Sequence, residues 1–246
     1  ARPGKGYLQI SEIEREGWLG LDVFGSAFFM LSRYEEVAEP RVDAHGRFPA
    51  IASMAFRERF LDRPLLDEYV EILWAVMKQL WPGLRRPRVE GRVRYSCDVD
   101  LPYDPAVKSS RLLFRGLAGD VAKRRSMSRA LTRIRAVRAA RRGNFSKDPK
   151  NSFDQIMDLC EASGVSGAFY MISGNSAGAI DGCYKLHEPF IVRLMGRIHE
   201  RGHEIGMHGS YNSFRDHAVI VSERDSLLSA CETVGLPTNL RGNRQH

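Results

Sequence analysis

Two short stretches hold the residues whose types and spacing could do chemistry. Ser96-Cys97-Asp98-Val99-Asp100 puts two acids two positions apart, and on an extended chain side chains at i and i+2 share a face. Two adjacent carboxylates repel, so one stays protonated unless a cation lies between them. A divalent ion removes the conflict: one acid ligates and the other stays ionised as a base. A turn is the competing reading, because Leu101-Pro102-Tyr103-Asp104-Pro105 follows and Asp favours turns. The second stretch is HEIGMHGSYN, residues 203–212. His203 and His208 give HExxxH, one residue longer than the helical zinc-protease motif, and they lie in a Gly-flanked apolar run and not on a helix. His203 follows a helix-closing Gly202 and reads as a turn residue. His208 ends the apolar run, with Asn212 at i+4.

The elements that must position these groups can be read from residue 92 onward. RVRYSCDV alternates and then ends on acids, as a strand with a polar carboxyl end does. NSFDQIMDLCEASG predicts a helix with Asn151 or Ser152 as N-cap, Gly164 as stop and Phe153, Ile156, Met157 and Cys160 as its apolar face. VSGAFYMIS is a nearly continuous apolar run, the pattern of a strand buried on both faces. A helix over 188–201 with Ile191, Leu194, Met195 and Ile198 inward, a strand EIGMH, a helix over 219–234 closed by Gly235 and a further strand in TNLRGNRQH complete the series. Strand and helix in alternation imply βα units and a parallel sheet, open or closed into a barrel. Reactive groups in such folds gather at the carboxyl ends of strands. Asp98 and Asp100, His208, and Arg244 with His246 stand at three such ends.

The first 88 residues read as a separate, smaller, mainly helical α+β domain, with helices over 24–36 and 65–83 and a Pro- and Gly-punctuated boundary at 84–92. The formal net charge is +7, and it is unevenly spread. Residues 108–142 hold twelve Lys or Arg against Asp120 alone, a local charge of +11. Met127, Leu131, Ile134 and Val137 recur there at helical spacing, which predicts one buried stripe with arginines outside. The segment reads as a basic helical insertion over 106–143, either a solvated scaffold helix or a surface attracted to an anionic glycan or lipid. Aromatic interleaving of the kind single-strand nucleic-acid binders use is missing, so no specific nucleic acid is expected. The longest apolar runs fall short of the roughly 20 residues of a membrane span. Cys97, Cys160, Cys183 and Cys231 form no CxxC pair, which argues against a zinc ribbon and fits reduced thiols in a cytoplasmic protein, peripherally membrane-associated at most. The chain starts with Ala and stops just after RGNRQH, and both ends read as cut.

SCDVD, GVSGAFYMISGN, RGHEIGMHGSYNS and RGNRQH, in this order and spacing, resemble the polysaccharide deacetylase family (carbohydrate esterase family 4, the NodB homology domain) over residues 91–246. The resemblance implies a distorted, incomplete (β/α) barrel with one divalent metal, zinc by type, at the strand carboxyl ends. It makes Asp98 the general base, Asp100 and His208 metal ligands, and Arg244 the residue that orients Asp98. Asn212 stands where the family has a second ligating His, with His246 as the alternative third ligand. It places the last part of the barrel, with the general-acid His, beyond residue 246. The implied activity is hydrolysis of an N-acetyl group on amino sugars of a bacterial surface polysaccharide or its lipid-linked precursor. A deformylase or another C–N amidase would use the same site, and a catalytically silent glycan-binding or assembly protein would keep the fold.

Overall fold

The alternation of short apolar runs with amphipathic segments is realised as a series of βα units. The computed structural model describes residues 8–11, 16–87, 90–238 and 242–245. The chain divides into two units, Ala1–Glu90 and Gly91–His246.

In the first unit, β1 (Leu8–Ser11) and β2 (Glu16–Leu19) pair antiparallel, with Leu8 opposite Leu19 and Ser11 opposite Glu16. Four helices follow: α1 (Val23–Leu31), α2 (Tyr34–Ala38), α3 (Met54–Arg57) and α4 (Leu65–Leu80). Asp22 caps α1 by accepting a hydrogen bond from the Gly25 N–H at 2.8 Å, as an N-cap acid does. The single helix expected over 24–36 is two helices, because Arg33 takes a left-handed backbone with φ 53° that no helix can propagate through. Among the described residues of this unit the buried hydrophobic side chains are Val23, Ala52 and Val76. Phe24, Phe28, Leu31 and Val37 are exposed.

In the second unit, β3 (Tyr95–Val99), β4 (Gly167–Ile172), β5 (Glu204–Gly209) and β6 (Asn243–Gln245) form a parallel sheet in sequential order, curled as half a barrel. The crossovers carry α5 (Ser110–Ala118), α6 (Met127–Arg141), α7 (Phe153–Ala162), α8 (Pro189–Glu200) and α9 (His217–Val234). The register pairs Val99 with Met171 and Met171 with Met207, so these side chains share one face. They form the core with Phe169, Met157 of α7, Ile191, Leu194 and Ile198 of α8 and Leu227 of α9, all buried. At about 1.5–3 kcal/mol for each fully buried large side chain, this face is what holds the unit together.

Residues of the opposite parity point into the open half of the barrel. That face carries Ser96, Asp98, Tyr170, His208 and Arg244, because a period of two separates them from the core residues. Gly206 belongs to the same face. A Cβ there would lie 2.5 Å from the Tyr170 ring, so glycine is what lets the phenol lie along the neighbouring strand.

The basic segment departs from expectation in part. Val137 is buried as expected and Ala130, Ala136 and Ala140 complete the buried stripe of α6, whereas Met127 and Leu131 are 63% and 49% exposed. The small alanines allow close packing. Arg133 then reaches across to Asp104 and Asp120, 2.7 Å from Asp120 Oδ2 through Nε. Arg124 holds the other oxygen of Asp120 at 2.8 Å, so the one acid in the segment is buried between two guanidiniums. These hold its carboxyl below the ordinary value, Arg133 foremost and Arg124 after it, against the opposing pull of burial.

Candidate functional site at the carboxyl ends of the strands

Parallel pairing alone brings the predicted residues together. Ile172 pairs with His208, and His208 with Arg244, so His208 and Arg244 are side by side on adjacent strands. Asp98 lies opposite Tyr170 two rows earlier, and Asp100 follows the end of β3.

The Arg244 side chain reaches back over Tyr170. Its Nη1 donates to Ser96 Oγ at 2.8 Å, its Nε lies 3.1 Å from Asp98 Oδ1, and its guanidinium carbon is 5.9 Å from the Tyr170 ring centroid. The contact with Asp98 is an ion pair without hydrogen-bond alignment, and Asp98 Oδ1 is buried with no hydrogen-bond partner.

His208 is buried, 2% exposed. Its Nδ1 lies 3.1 Å from the Arg244 carbonyl oxygen. A carbonyl can only accept, so Nδ1 carries the proton in that contact and the neutral ring has its lone pair on Nε2. Nε2 lies 3.3 Å from Asp100 Oδ1, which is also buried without a hydrogen-bond partner. With the ring neutral, two lone-pair donors face each other; with both ring nitrogens protonated, the same contact is an ion pair. Two tetrahedral zinc ligands with bonds of about 2.0–2.1 Å are themselves roughly 3.3 Å apart. The donor types, one carboxylate and one imidazole whose other nitrogen is anchored on a carbonyl, are those that zinc takes. Asp100 and His208 therefore fit a metal. Among the described residues no three His, Cys, Asp or Glu side chains converge.

Asn212 is held by the loop that follows β4. Its backbone N–H donates to Ser176 Oγ at 2.8 Å, and its Nδ2 donates to the Ser176 carbonyl at 3.2 Å. Its Oδ1 is the only acceptor the side chain has to offer a cation. His246 lies outside the described residues. His217 opens α9 and lines a cleft with His187 and Asp225. His203 is no surface turn residue: it is buried, and its Nδ1 accepts the Gly167 N–H at 3.0 Å, tying the start of β4 to the start of β5.

Three residues that sequence reasoning missed shape the rim. Asp181 is buried and accepts hydrogen bonds from the N–H groups of Ser176 and Tyr211, each at 2.6 Å. Glu223, also buried, accepts the Ser210 N–H at 3.0 Å, and the Ser210 hydroxyl donates to it as well. Asp181 thus fixes the loop after β4 to the loop after β5, and Glu223 ties the loop after β5 to α9. Glu223 had a readable signal: Ile220, Glu223, Leu227 and Cys231 follow helical spacing, which sets a charge on the inward face of α9.

Tyr184 is the third. Its hydroxyl donates to the Val99 carbonyl and accepts the Ile172 N–H, both at 2.7 Å. Those two groups are the pair that a further rung of the β3–β4 ladder would join, so the phenol is a spacer that parts the strands where Asp100 emerges. Burial pushes its ionisation far up, and it stays protonated. Gly182, with φ 84°, lies against the Asp100 carbonyl, where a Cβ would come within 2.4 Å. Burial, with smaller contributions from the Asp98 and Asp100 charges, raises the Cys97 thiol above its ordinary value.

Residues 7–82 match the model of a family of unknown function, DUF7033, and no site residue falls among them. Neither the curated proteins nor the solved structures give a match to the chain.

Proposed function

We propose that the second unit is a metal-dependent hydrolase of the polysaccharide deacetylase type, on the incomplete barrel of that family, releasing acetate from N-acetylated amino sugars of a surface polysaccharide or its precursor. The observation that carries this reading is the pairing of two buried, hydrogen-bond-orphaned Asp oxygens with His208 and Arg244 at adjoining strand ends. Asp100 and His208 would hold the ion, with Asn212 Oδ1 as third donor. When bound, zinc supplies Lewis-acid polarisation of the scissile carbonyl and a water acidified from about 15.7 toward about 7. Asp98, beside the ligands and not part of them, takes the water's proton as general base. Arg244 keeps Asp98 ionised and aimed, and Ser96 fixes the guanidinium from behind.

A second reading, a glycan-binding or assembly protein without catalysis, is favoured by one observation: Asn212, whose backbone and side-chain N–H groups are held by Ser176, has a single neutral oxygen left to offer a cation. Metal analysis of the intact protein, run beside acetate release from N-acetylated oligosaccharides, separates the two. Stoichiometric zinc that disappears in His208→Ala is expected. A metal-free protein whose glycan binding survives Asp100→Ala would establish the second reading instead.

A further inference from the structure

The outward side of the basic insertion combines unpaired cations with exposed apolar side chains. Lys108, Arg124 and Arg133 are neutralised by carboxylates, and Arg141 donates to the carbonyls of Ala106 and Val107. The remaining cations of residues 108–142 make no ion pair with any described residue. Between them project Phe114 at 71% exposure, Met127 at 63%, Leu131 at 49% and Val121 at 44%. On α6 the helical repeat of 3.6 residues sets Met127, Leu131, Arg135, Arg138 and Arg142 on one face, opposite the buried alanines. On α5 and the turn after it, Arg111, Phe114, Arg115 and Val121 are exposed as well.

We propose that this α5–α6 surface docks on an anionic lipid bilayer. Charge alone would serve any polyanion, so the apolar residues decide the occupant. A soluble anionic glycan presents hydroxyls and carboxylates, which give Phe114, Met127 and Leu131 nothing to bury against. A bilayer interface rewards both halves of the surface: acyl chains take the apolar side chains, and acidic headgroups take the arginines. Arginine stems also lie along apolar surface while their heads reach the phosphates. The inference is independent of the hydrolase reading, since no residue of the strand-end site belongs to this surface. Docking of this kind would hold the protein where a lipid-linked glycan is presented.

Sedimentation of the intact 246-residue chain with vesicles tests the proposal. Partition onto phosphatidylcholine vesicles carrying about 30% phosphatidylglycerol should exceed that onto pure phosphatidylcholine by about tenfold or more, and should collapse in about 0.5 M NaCl. The combined variant Phe114→Ser, Met127→Ser, Leu131→Ser should lose about tenfold in partition with an unchanged circular dichroism spectrum, because all three side chains are exposed. Arg135→Gln, Arg138→Gln, Arg142→Gln should lose a similar factor. Equal partition onto both vesicle types overturns the proposal. So does a serine variant that binds acidic vesicles as well as the parent does. Polygalacturonate binding that matches vesicle binding and ignores the serine substitutions would assign the surface to an anionic glycan.

Discussion

Nε2 of His208 stands 3.3 Å from Oδ1 of Asp100, and no hydrogen bond satisfies that oxygen. Between a neutral imidazole lone pair and a carboxylate, such a contact is repulsive unless a proton or a cation is shared. With the ring neutral, the contact to the Arg244 carbonyl turns the Nε2 lone pair toward Asp100, and in the proposed hydrolase a cation is the group the two would share.

The proposed hydrolase makes Asp98 the base and not a ligand, which is a separable prediction. Asp98→Asn should leave bound metal unchanged while acetate release falls by about 10²–10⁴-fold, the ordinary contribution of a general base. Metal content and initial rates on the same preparation check both halves. Loss of the metal would reassign Asp98 to the ligand set.

Asn212 offers one neutral oxygen where imidazole would be a stronger zinc donor. Asn212→His should lower the zinc dissociation constant by about tenfold or more, read by competition with a chromophoric chelator. The substitution also removes the hydrogen bond to the Ser176 carbonyl, so the loop after β4 should exchange its amide protons faster.

The hydroxyl of Tyr184 satisfies one carbonyl and one N–H that have no other strand partner. Tyr184→Phe leaves both unmet at the cost of about 1–3 kcal/mol each, and thermal unfolding should fall by about 2–4 °C per kcal/mol for a domain of this size. Denaturant melts and calorimetry measure it. Since Asp100 follows Val99 directly, metal affinity should weaken in the same variant.

The buried Asp120 makes stability depend on acid. Its folded-state pKa lies below the ordinary 3.8, so its contribution is fully present above that value and disappears as pH falls through the folded-state value. Asp120→Asn should thus melt at a lower temperature than the parent at pH 7, with the gap closing below about pH 4. A gap that persists undiminished at acid pH would show that packing of the carboxyl, and not its charge, carries the effect.

The sequence made the strand ends legible because nothing but a two-residue period is needed to put Asp98 and Ser96 on one face, and continuous apolar runs mark β4 and β5 as doubly covered. The break at Arg33 left no trace, since a left-handed residue that is not glycine has no compositional mark. The buried stripe of α6 was legible at Val137 and misread at its start for a physical reason: hydrophobicity pointed to Met127 and Leu131, whereas close helix packing, with room for Arg133 to reach Asp120, selects alanine. Asp181 and Tyr184 act through contacts that depend on how loops fold back over the sheet, which no local pattern encodes.

Tyr184 gives the site an adjustable width. Between ladder-bonded strands the spacing is fixed at about 4.8 Å by the peptide groups themselves, and evolution has little with which to vary it. Where a phenol is interposed, the separation of β3 from β4 depends on the length of one side chain and the set of one loop. The gap between β3 and β4 beside Asp100 is thus a quantity that a single substitution can retune without touching Asp98, Asp100 or His208.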